Sequence, residues 1–242
     1  MSYGFKILIA GDYACFTRPE LKIERTSYSA PTPGALEGLL KSLFWKPAIQ
    51  YFIDEIVVFH PIDFVNIRRN EVQEKVSFSK VKSQMQSGGG DPCIYTAEAR
   101  TQRASMVLKD VLYGVSFHFE LTGLKSERET DPEKKYYNIL KRRLEKGQYF
   151  RTPCLGCSEF PVKSVTLVDA FDYTAISPEI LAMGDVDLGY MSYKVCFQDK
   201  GIPINGDWEH PVFSDAATTT YYRPHMVNGV IDVKKYREMM QC

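Results

Sequence analysis

The first part of the chain contains a short apolar run and a longer stretch with helical periodicity. Residues 5–10 are apolar and predict a buried strand. Thr32 followed by Pro33 is typical of a helix start, and apolar side chains recur at helical spacing over residues 36–44. The pattern therefore predicts a helix that ends at residues 46–47, the clearest helix in the first half of the chain.

Two strands and a basic segment follow this helix. Residues 53–59 and 64–67 are rich in branched and aromatic side chains, which favours strands. Residues 68–103 place basic side chains around a glycine-rich tip and have little apolar content, so they predict a mobile basic finger that projects from the core. A solvated loop without function is the alternative interpretation of this segment.

The alternation over residues 111–121 is nearly perfect. Every second side chain is apolar, whereas Ser116, His118 and Glu120 belong to the other face. The pattern predicts a strand with one buried face and places His118 on its more polar face. An imidazole there can exchange protons near neutral pH, although a histidine that hydrogen-bonds a neighbouring strand fits the sequence equally well.

A second helix is predicted over residues 131–147, with apolar positions on one side and a basic ridge on the other. The order strand, helix, strand, finger, strand, helix, strand indicates an α+β fold. We expect an antiparallel, ferredoxin-like domain over residues 1–160. Beyond it, residues 161–242 indicate a β-rich C-terminal extension with a hairpin turn at residues 228–229.

Composition and charge narrow the class of protein. The chain has 242 residues, of which 44% are hydrophobic, and 30 Lys plus Arg balance 30 Asp plus Glu. This is typical of soluble globular proteins, and any nucleic-acid surface must come from local segregation of charge. Because no apolar run has the length of a membrane span or a signal peptide, we expect a cytoplasmic protein whose six cysteines stay reduced.

Cys154 and Cys157 form the most conspicuous short motif. A CxxC pair can be half of a zinc site or a redox pair. The sequence has no second paired motif to complete a zinc site, and Pro153 and Gly156 indicate a turn. A structural turn is the favoured interpretation, and metal binding and redox chemistry are the alternatives.

Basic side chains interleaved with aromatic ones are the remaining chemical signal. The sequence has no Ser/His/Asp set, phosphate-binding P-loop or dinucleotide motif, so nucleotide-driven chemistry is not expected. Single-stranded RNA is bound by cations that follow its phosphates and by flat rings that stack on unpaired bases. The candidate RNA-binding residues are Arg18, Lys22, Arg25, Tyr28, Trp45, Arg68, Arg69, Arg103, Arg142 and Arg143.

Several segments resemble the type I-C branch of the Cas-five proteins of CRISPR systems. In chain order they are GDYACFTRPE, ERTSY, FWKP, RRNE, QR, FHFE and PCLGCSEF. The match covers about residues 5–160, with a further similarity at residues 187–191. Such long motifs in the same order are far more specific than any single signature.

The resemblance implies a member of the RAMP superfamily with an RRM-like domain and a β-rich extension. It implies an endoribonuclease of antiviral defence that cuts the repeats of precursor CRISPR RNA and stays on the 5′ handle of the guide. Its partners would be this RNA, the backbone and large subunits of the Cascade complex and, through that complex, target DNA. The family's reaction needs no metal or other cofactor, because the ribose 2′-OH attacks the adjacent phosphate with help from a base, an acid and a cation.

Members of the family use a tyrosine, a lysine and a histidine together, and this sequence departs from that set. Phe44 stands at the tyrosine position, Ser116 lies near the lysine position, and His118 matches the histidine. The resemblance then leaves two alternatives. Either His118 works with another cation, for which Lys46 and Lys22 are candidates, or the chain holds the RNA as a scaffold without cleaving it.

Overall fold

Two strands that are distant in sequence form the centre of the fold. The computed structural model describes residues 4–90, 93–123, 132–199, 201–207 and 209–240. Strand β1 (Gly4–Ala14) pairs antiparallel with the long strand β4 (Arg100–Leu121), from Gly4 opposite His118 to Ala14 opposite Leu108. Because apolar side chains alternate on both strands, this register joins them into one buried face.

The neighbouring strands complete a ferredoxin-like order. Strand β2 (Ile49–Val58) pairs with β4 and strand β5 (Ser164–Val168) pairs with β1, which gives the order β5-β1-β4-β2 with every pair antiparallel. Helix α1 (Pro33–Leu43) connects β1 to β2, and helix α3 (Pro132–Lys146) lies between β4 and β5. The predicted α+β class with an antiparallel, ferredoxin-like sheet is confirmed.

The start of α1 follows the sequence prediction and its end does not. The Thr32 side chain accepts a hydrogen bond from the N–H of Ala35, and Pro33 opens the helix. The helix ends at Leu43, earlier than predicted, because Phe44 is extended and turns its ring into the core. For the second helix, residue 131 of the predicted span lies outside the described residues. Between the helices and the sheet the core includes Ile7, Ile9, Leu36, Leu40, Tyr51, Phe117, Phe119, Tyr136 and Leu140.

The segment predicted as a mobile finger contains a strand and a helix. Strand β3 (Phe64–Val72) pairs with the first part of β4, and helix α2 (Phe78–Ser87) follows it without a buried residue. Asp110, with a φ of 48°, lies between the part of β4 that pairs with β3 and the part that pairs with β2. The sequence signal was weak because side chains of this arm are largely solvent-exposed. Residues 91–92 of the predicted tip lie outside the described residues.

After β5 the chain adds strands beyond β2. Helix α4 (Pro178–Met183) leads to β6 (Asp185–Asp187), and β9 (His225–Val227) and β10 (Val230–Asp232) give the order β2-β10-β9-β6. Strands β7 (Met191–Phe197) and β8 (Ala217–Tyr222) form a second sheet, and β7 contacts α1. Short 3₁₀ helices span Tyr173–Ala175 and Lys234–Met240.

Residues after 161 are rich in strands, but apart from β7 and β8 these strands do not form a sheet of their own. Strands β5, β9 and β10 extend the sheet that contains β1, β2 and β4. The boundary predicted between residues 1–160 and 161–242 therefore does not coincide with a break in the sheet. At the predicted hairpin turn, Asn228 and Gly229 have φ values of 50° and 84°. Within the described ranges, no helix is long and apolar enough to cross a membrane.

Candidate active site

His118 lies on the face of the sheet opposite α1 and α3. Its neighbours Phe117 and Phe119 belong to the core, so the alternation of β4 turns His118 to the other face. The imidazole stacks on the ring of Phe52, its partner across the β2–β4 pair, with centroids 5.4 Å apart and an interplanar angle of 19°. These contacts leave 10% of the His118 side chain exposed, so the ring is held in place by its neighbours.

A β-bulge in β2 brings a carboxylate to His118. The register of β2 against β4 shifts at Asp54, which makes this the inserted residue. Nδ1 of His118 donates a hydrogen bond to Oδ2 of Asp54 at 2.7 Å. Arg237, from the second 3₁₀ helix, donates to the other carboxylate oxygen of Asp54 and lies 5.1 Å over the ring of Phe52. Asp54 is thus fixed between a guanidinium and an imidazole.

The second ring nitrogen of His118 faces a more exposed carboxylate. Nε2 lies 3.5 Å from Oε1 of Glu120, whose side chain is 58% exposed. Because Asp54 can accept but not donate, it fixes Nδ1 as the N–H donor. Nε2 is therefore the ring nitrogen that Asp54 does not engage.

Sequence reasoning missed Asp54 and Arg237. One signal for Asp54 was present, since two consecutive acidic residues interrupt the apolar run at residues 53–59. An acidic pair inside a strand is the kind of irregularity that a bulge accommodates. Arg237 had no such signal, because its approach to Asp54 depends on how the end of the chain packs.

The other residues predicted for catalysis have different positions. Phe44 is buried on the helix side, with its ring 5.9 Å from that of Tyr136, so the sheet separates it from His118. The structure therefore does not bring Phe44 and His118 into one site. Ser116 is on the same face of the sheet as His118. Lys46 is exposed near the end of β4 that carries His118. Its neighbour Pro47 is held there, because its carbonyl accepts a hydrogen bond from the hydroxyl of Thr122 at 2.8 Å.

Three of the arginines predicted to bind RNA form one ion-pair network. Arg25 and Arg69 contact Glu159 at 3.1 Å and 2.7 Å, and Arg69 and Arg103 contact Glu71 at 3.5 Å and 3.2 Å. Burial acts to raise the pKa of Glu159, but hydrogen bonds from Arg69 and Arg25 outweigh it and lower that pKa. Any RNA phosphate at these arginines must compete with two carboxylates of the protein itself.

Two further candidates make internal contacts. Tyr28 is 2% exposed, and the guanidinium of Arg18 lies 5.0 Å over its ring. A buried Tyr28 is not available for base stacking, which corrects the sequence expectation. Arg143 donates a hydrogen bond to the carbonyl of Leu43, the last residue of α1, and lies 5.3 Å over the ring of Phe44. Arg143 thus stabilises the end of a helix.

The remaining candidates are exposed to solvent. They are Lys22, Trp45, Arg68 and Arg142. The carbonyl of Ser42, three positions before Trp45 in the sequence, accepts a hydrogen bond from the N–H of Phe150 at 2.9 Å, which holds residues 149–151 against the end of α1. Phe150 and Tyr149 are 88% and 54% exposed. Exposed rings beside basic side chains are typical of surfaces that bind unpaired bases, and sequence reasoning had left both out of its candidate set.

Cys154 and Cys157 lie in a turn. The backbones of Cys154 and Pro161 form an isolated antiparallel β-bridge, and Gly156 has a φ of 86°. Cys157 faces Cys15 of the segment after β1, and its sulfur lies 3.6 Å from the Cys15 carbonyl oxygen. Among the residues that the structure describes, no three His, Cys, Asp or Glu side chains are grouped as metal ligands.

The described cysteines are not all reduced. Cys15, Cys93, Cys154 and Cys157 are free thiols, whereas Cys196 is disulfide-bonded. The prediction of reduced thiols is therefore wrong at Cys196. That prediction was based on the expected cytoplasmic location, in which thiols usually stay reduced. The local sequence does not show which thiols come together in the fold.

Comparison with protein families identifies the chain. A family model described as CRISPR-associated protein (Cas_Cas5) matches residues 4–234. The chain belongs to this family. The resemblance to the type I-C branch that the sequence motifs indicated is thereby confirmed.

Two curated relatives of this Cas_Cas5 chain have the same description, "CRISPR pre-crRNA endoribonuclease Cas5d". The protein from Mannheimia succiniciproducens is 38% identical over 237 residues, which is 98% of this chain and 97% of the relative. The protein from Thermus thermophilus is 38% identical over 200 residues, which is 82% of this chain and 76% of the relative. The similarity therefore includes the finger and the strands after residue 161.

Solved structures support the fold of this family member. "Crystal Structure of CRISPR-associated Protein" has a TM-score of 0.60 at 23% identity and covers 96% of this chain and 91% of its own. The functionally uncharacterized protein SMU1763c from Streptococcus mutans has a TM-score of 0.60 at 24% identity, with 95% and 91% covered. At such identities the likeness concerns the fold alone.

Proposed function

We propose that this Cas_Cas5 family member is an endoribonuclease that cleaves CRISPR precursor RNA and stays bound to the 5′ handle of the product. The observation that carries the proposal is the pair formed by His118 and Asp54, in which one ring nitrogen is anchored and the other is left for proton transfer. Two relatives at 38% identity are described as pre-crRNA endoribonucleases, which supports the same substrate for this chain.

The proposed reaction consists of proton transfers around one phosphate. The ribose 2′-OH attacks the adjacent phosphorus, so that the 2′-O–P bond forms and the P–O5′ bond breaks. The 2′ oxygen loses its proton and the departing 5′ oxygen gains one. His118 serves one of these transfers through Nε2, Asp54 keeps the ring in the required tautomer, and Arg237 holds Asp54. A metal ion has no necessary role in this scheme.

Cleavage of the cognate repeat RNA by the purified protein in EDTA tests the proposal. We expect a single cut at the base of the repeat hairpin. His118→Ala should lower the rate ~100- to 10,000-fold and change RNA affinity little, because general acid or base help acts on the transition state. His60→Ala is a matched control, since His60 contacts the backbone oxygen of Asp110 at 2.7 Å in another part of the sheet. A His118→Ala protein that cuts at the wild-type rate would remove His118 from the mechanism.

A non-cleaving scaffold that holds the 5′ handle is the second candidate function. It is favoured by Phe44, which has no proton to transfer and is buried away from His118. The same assay separates the two candidates. A wild-type protein that binds the repeat tightly and never cuts it would make the scaffold the correct function.

The finger is the segment that we propose for contact with the other subunits of a type I-C Cascade complex. Helix α2 buries none of its side chains, and Phe78 and Met85 are 81% and 80% exposed. Large apolar side chains on a projecting helix are typical of an interaction site. Deleting residues 84–92 should leave the melting temperature unchanged and prevent assembly with those subunits. Normal assembly together with normal RNA binding would contradict this role.

A further inference from the structure

Cys15 and Cys157 belong to one hydrogen-bonded cluster that the proposed RNA cleavage does not use. Each sulfur lies 3.5 Å from the hydroxyl oxygen of Thr17. The Cys157 sulfur also lies 3.6 Å from the carbonyl oxygen of Cys15. The backbone N–H of Cys15 donates to the carbonyl of Leu155 at 3.0 Å, which ties the turn of residues 154–157 to the end of β1. Two thiols separated widely in sequence are thus held face to face.

The turn approaches Cys15 so closely that residue 156 must be glycine. A Cβ at Gly156 would lie 2.0 Å from the carbonyl oxygen of Cys15, and the φ of 86° is in the left-handed region. Such backbone contact places Cys157 beside Cys15 in the folded chain. The sulfur of Cys154, the other cysteine of the CxxC motif, instead lies 4.0 Å from the carbonyl oxygen of Gly156.

The two thiols differ in exposure and in acidity. Cys15 is 1% exposed, whereas Cys157 is half-buried and can meet a small reagent from solvent. The hydrogen bond from the Cys15 thiol, helped by Thr17 and the charge of Arg25, lowers the pKa of Cys157 to about 6 against the effect of burial. The hydrogen bond to Cys157 and burial raise the pKa of Cys15. A reachable thiolate beside a protonated thiol is the arrangement of an attacking and a resolving cysteine.

We propose that Cys157 is a peroxide-sensitive thiol and that Cys15 is its resolving partner. The Cys157 thiolate attacks hydrogen peroxide, so that an S–O bond forms, the O–O bond breaks, and hydroxide leaves and takes up a proton. The Cys15 sulfur then attacks the sulfenic sulfur of Cys157. The S–S bond forms, the S–O bond breaks, and the hydroxyl departs as water with the proton of Cys15. The two thiols lose two electrons, and peroxide is reduced to two waters.

Alkylation of the reduced wild-type protein tests the thiolate. Iodoacetamide labelling is followed by peptide mass spectrometry over a series of pH values. The labelling rate at Cys157 should level off above about pH 7, because its thiolate is already formed, whereas the rate of free cysteine measured alongside should keep rising through about pH 8.5. The shape of the profile is the criterion, since a more acidic thiol is also a weaker nucleophile. Parallel profiles for Cys157 and free cysteine would overturn the proposal.

Oxidation of the same protein with hydrogen peroxide tests the partner. We expect a linked peptide that joins Cys15 to Cys157, and the same peptide from the control variant Cys154→Ser. In Cys15→Ser the sulfenic acid at Cys157 should persist and be trapped by dimedone, while circular dichroism reports whether that variant is folded. A peptide that links Cys154 to Cys157, or an unoxidised Cys157 in the wild type, would refute the assignment without any variant.

Discussion

Nδ1 of His118 and Oδ2 of Asp54 lie 2.7 Å apart, although the two residues are 64 positions apart in the sequence. The bulge in β2 makes this contact and gives the following residue a different partner. Glu55 is opposite Ser116 and accepts a hydrogen bond from the hydroxyl of Tyr173 at 2.9 Å. Two consecutive carboxylates on one strand therefore have separate roles, and each can be changed without the other.

The first prediction is that Asp54→Asn slows RNA cleavage and leaves RNA affinity unchanged. An asparagine of the same shape loses the charge that orients His118 and can present an N–H to Nδ1, which favours the wrong tautomer. The loss should not exceed the ~100- to 10,000-fold expected of His118→Ala. Single-turnover cleavage rates and filter binding of the repeat RNA measure the two quantities.

Glu55→Gln is the matched control for Asp54→Asn, and it should cut at the wild-type rate. Both variants remove one charge from neighbouring positions of the same bulge. Equal losses in the two would show that the bulge supports the sheet in general and does not position His118 in particular.

The second prediction separates two adjacent arginines of α3. Arg142→Glu should weaken RNA binding and reduce the slope of log affinity against log salt by about 0.7, the value for one lost phosphate contact on a single strand. Arg143→Glu should instead lower stability by about 1–2 kcal/mol, because Arg143 caps the last carbonyl of α1 at Leu43. Filter binding over a salt series and thermal melts measure the two effects. Unchanged affinity in Arg142→Glu would assign its side chain to solvent or to a protein neighbour.

The third prediction is that Phe44→Tyr does not raise the cleavage rate. Phe44 packs against Tyr136 on the helix side of the sheet, so a hydroxyl there cannot reach a phosphate that is bound at His118. The added hydroxyl also enters the core, where a polar group without a partner costs about 1–3 kcal/mol. Cleavage rates and melting temperatures of both proteins are the measurements. A faster variant would place the reacting phosphate near α1 and away from Asp54.

The fourth prediction concerns the pH dependence of stability at Glu37 in α1. This carboxylate is 5% exposed, and Oε2 lies 3.2 Å from Nζ of Lys194 and 3.9 Å from Nζ of Lys41. Burial raises the pKa of Glu37 despite both lysines. The folded chain therefore binds the proton of the Glu37 carboxyl group more tightly than the unfolded chain does. The stabilisation that comes from this protonation is complete below about pH 4.3 and is lost as the pH rises through the higher, folded-state pKa of Glu37.

Glu37→Gln should therefore melt at a higher temperature than the wild type near neutral pH, and the difference should disappear towards pH ~4. Circular dichroism melts over a pH series measure it. Glu145→Gln is the control for the loss of one carboxylate, since Glu145 forms an exposed pair with Lys141 at 3.9 Å. A Glu37→Gln protein that is less stable near neutral pH would show that the lysine contacts outweigh the burial of charge.

The sequence was sufficient to predict the elements that depend on local periodicity. Alternation over residues 111–121 predicted the second half of β4 and its buried face, and Thr32 with Pro33 predicted the start of α1. These signals are local, because a pleated strand and a helix impose periods of two and 3.6 residues on whichever side chains face the core. Helix α2 within the predicted finger was not foreseen, because an arm with little burial has no such period.

The neighbours of each functional side chain depended on tertiary structure. Asp54 reaches His118 through a one-residue shift of register, and Arg237 reaches Asp54 from the end of the chain. Cys157 meets Cys15 and not the cysteine three positions before it in the same motif. Such contacts join segments far apart in sequence, so they follow from strand register and from the packing of turns. The local hydrophobic pattern shows which face of a strand is buried, but it does not show which residue of a distant strand or turn lies opposite.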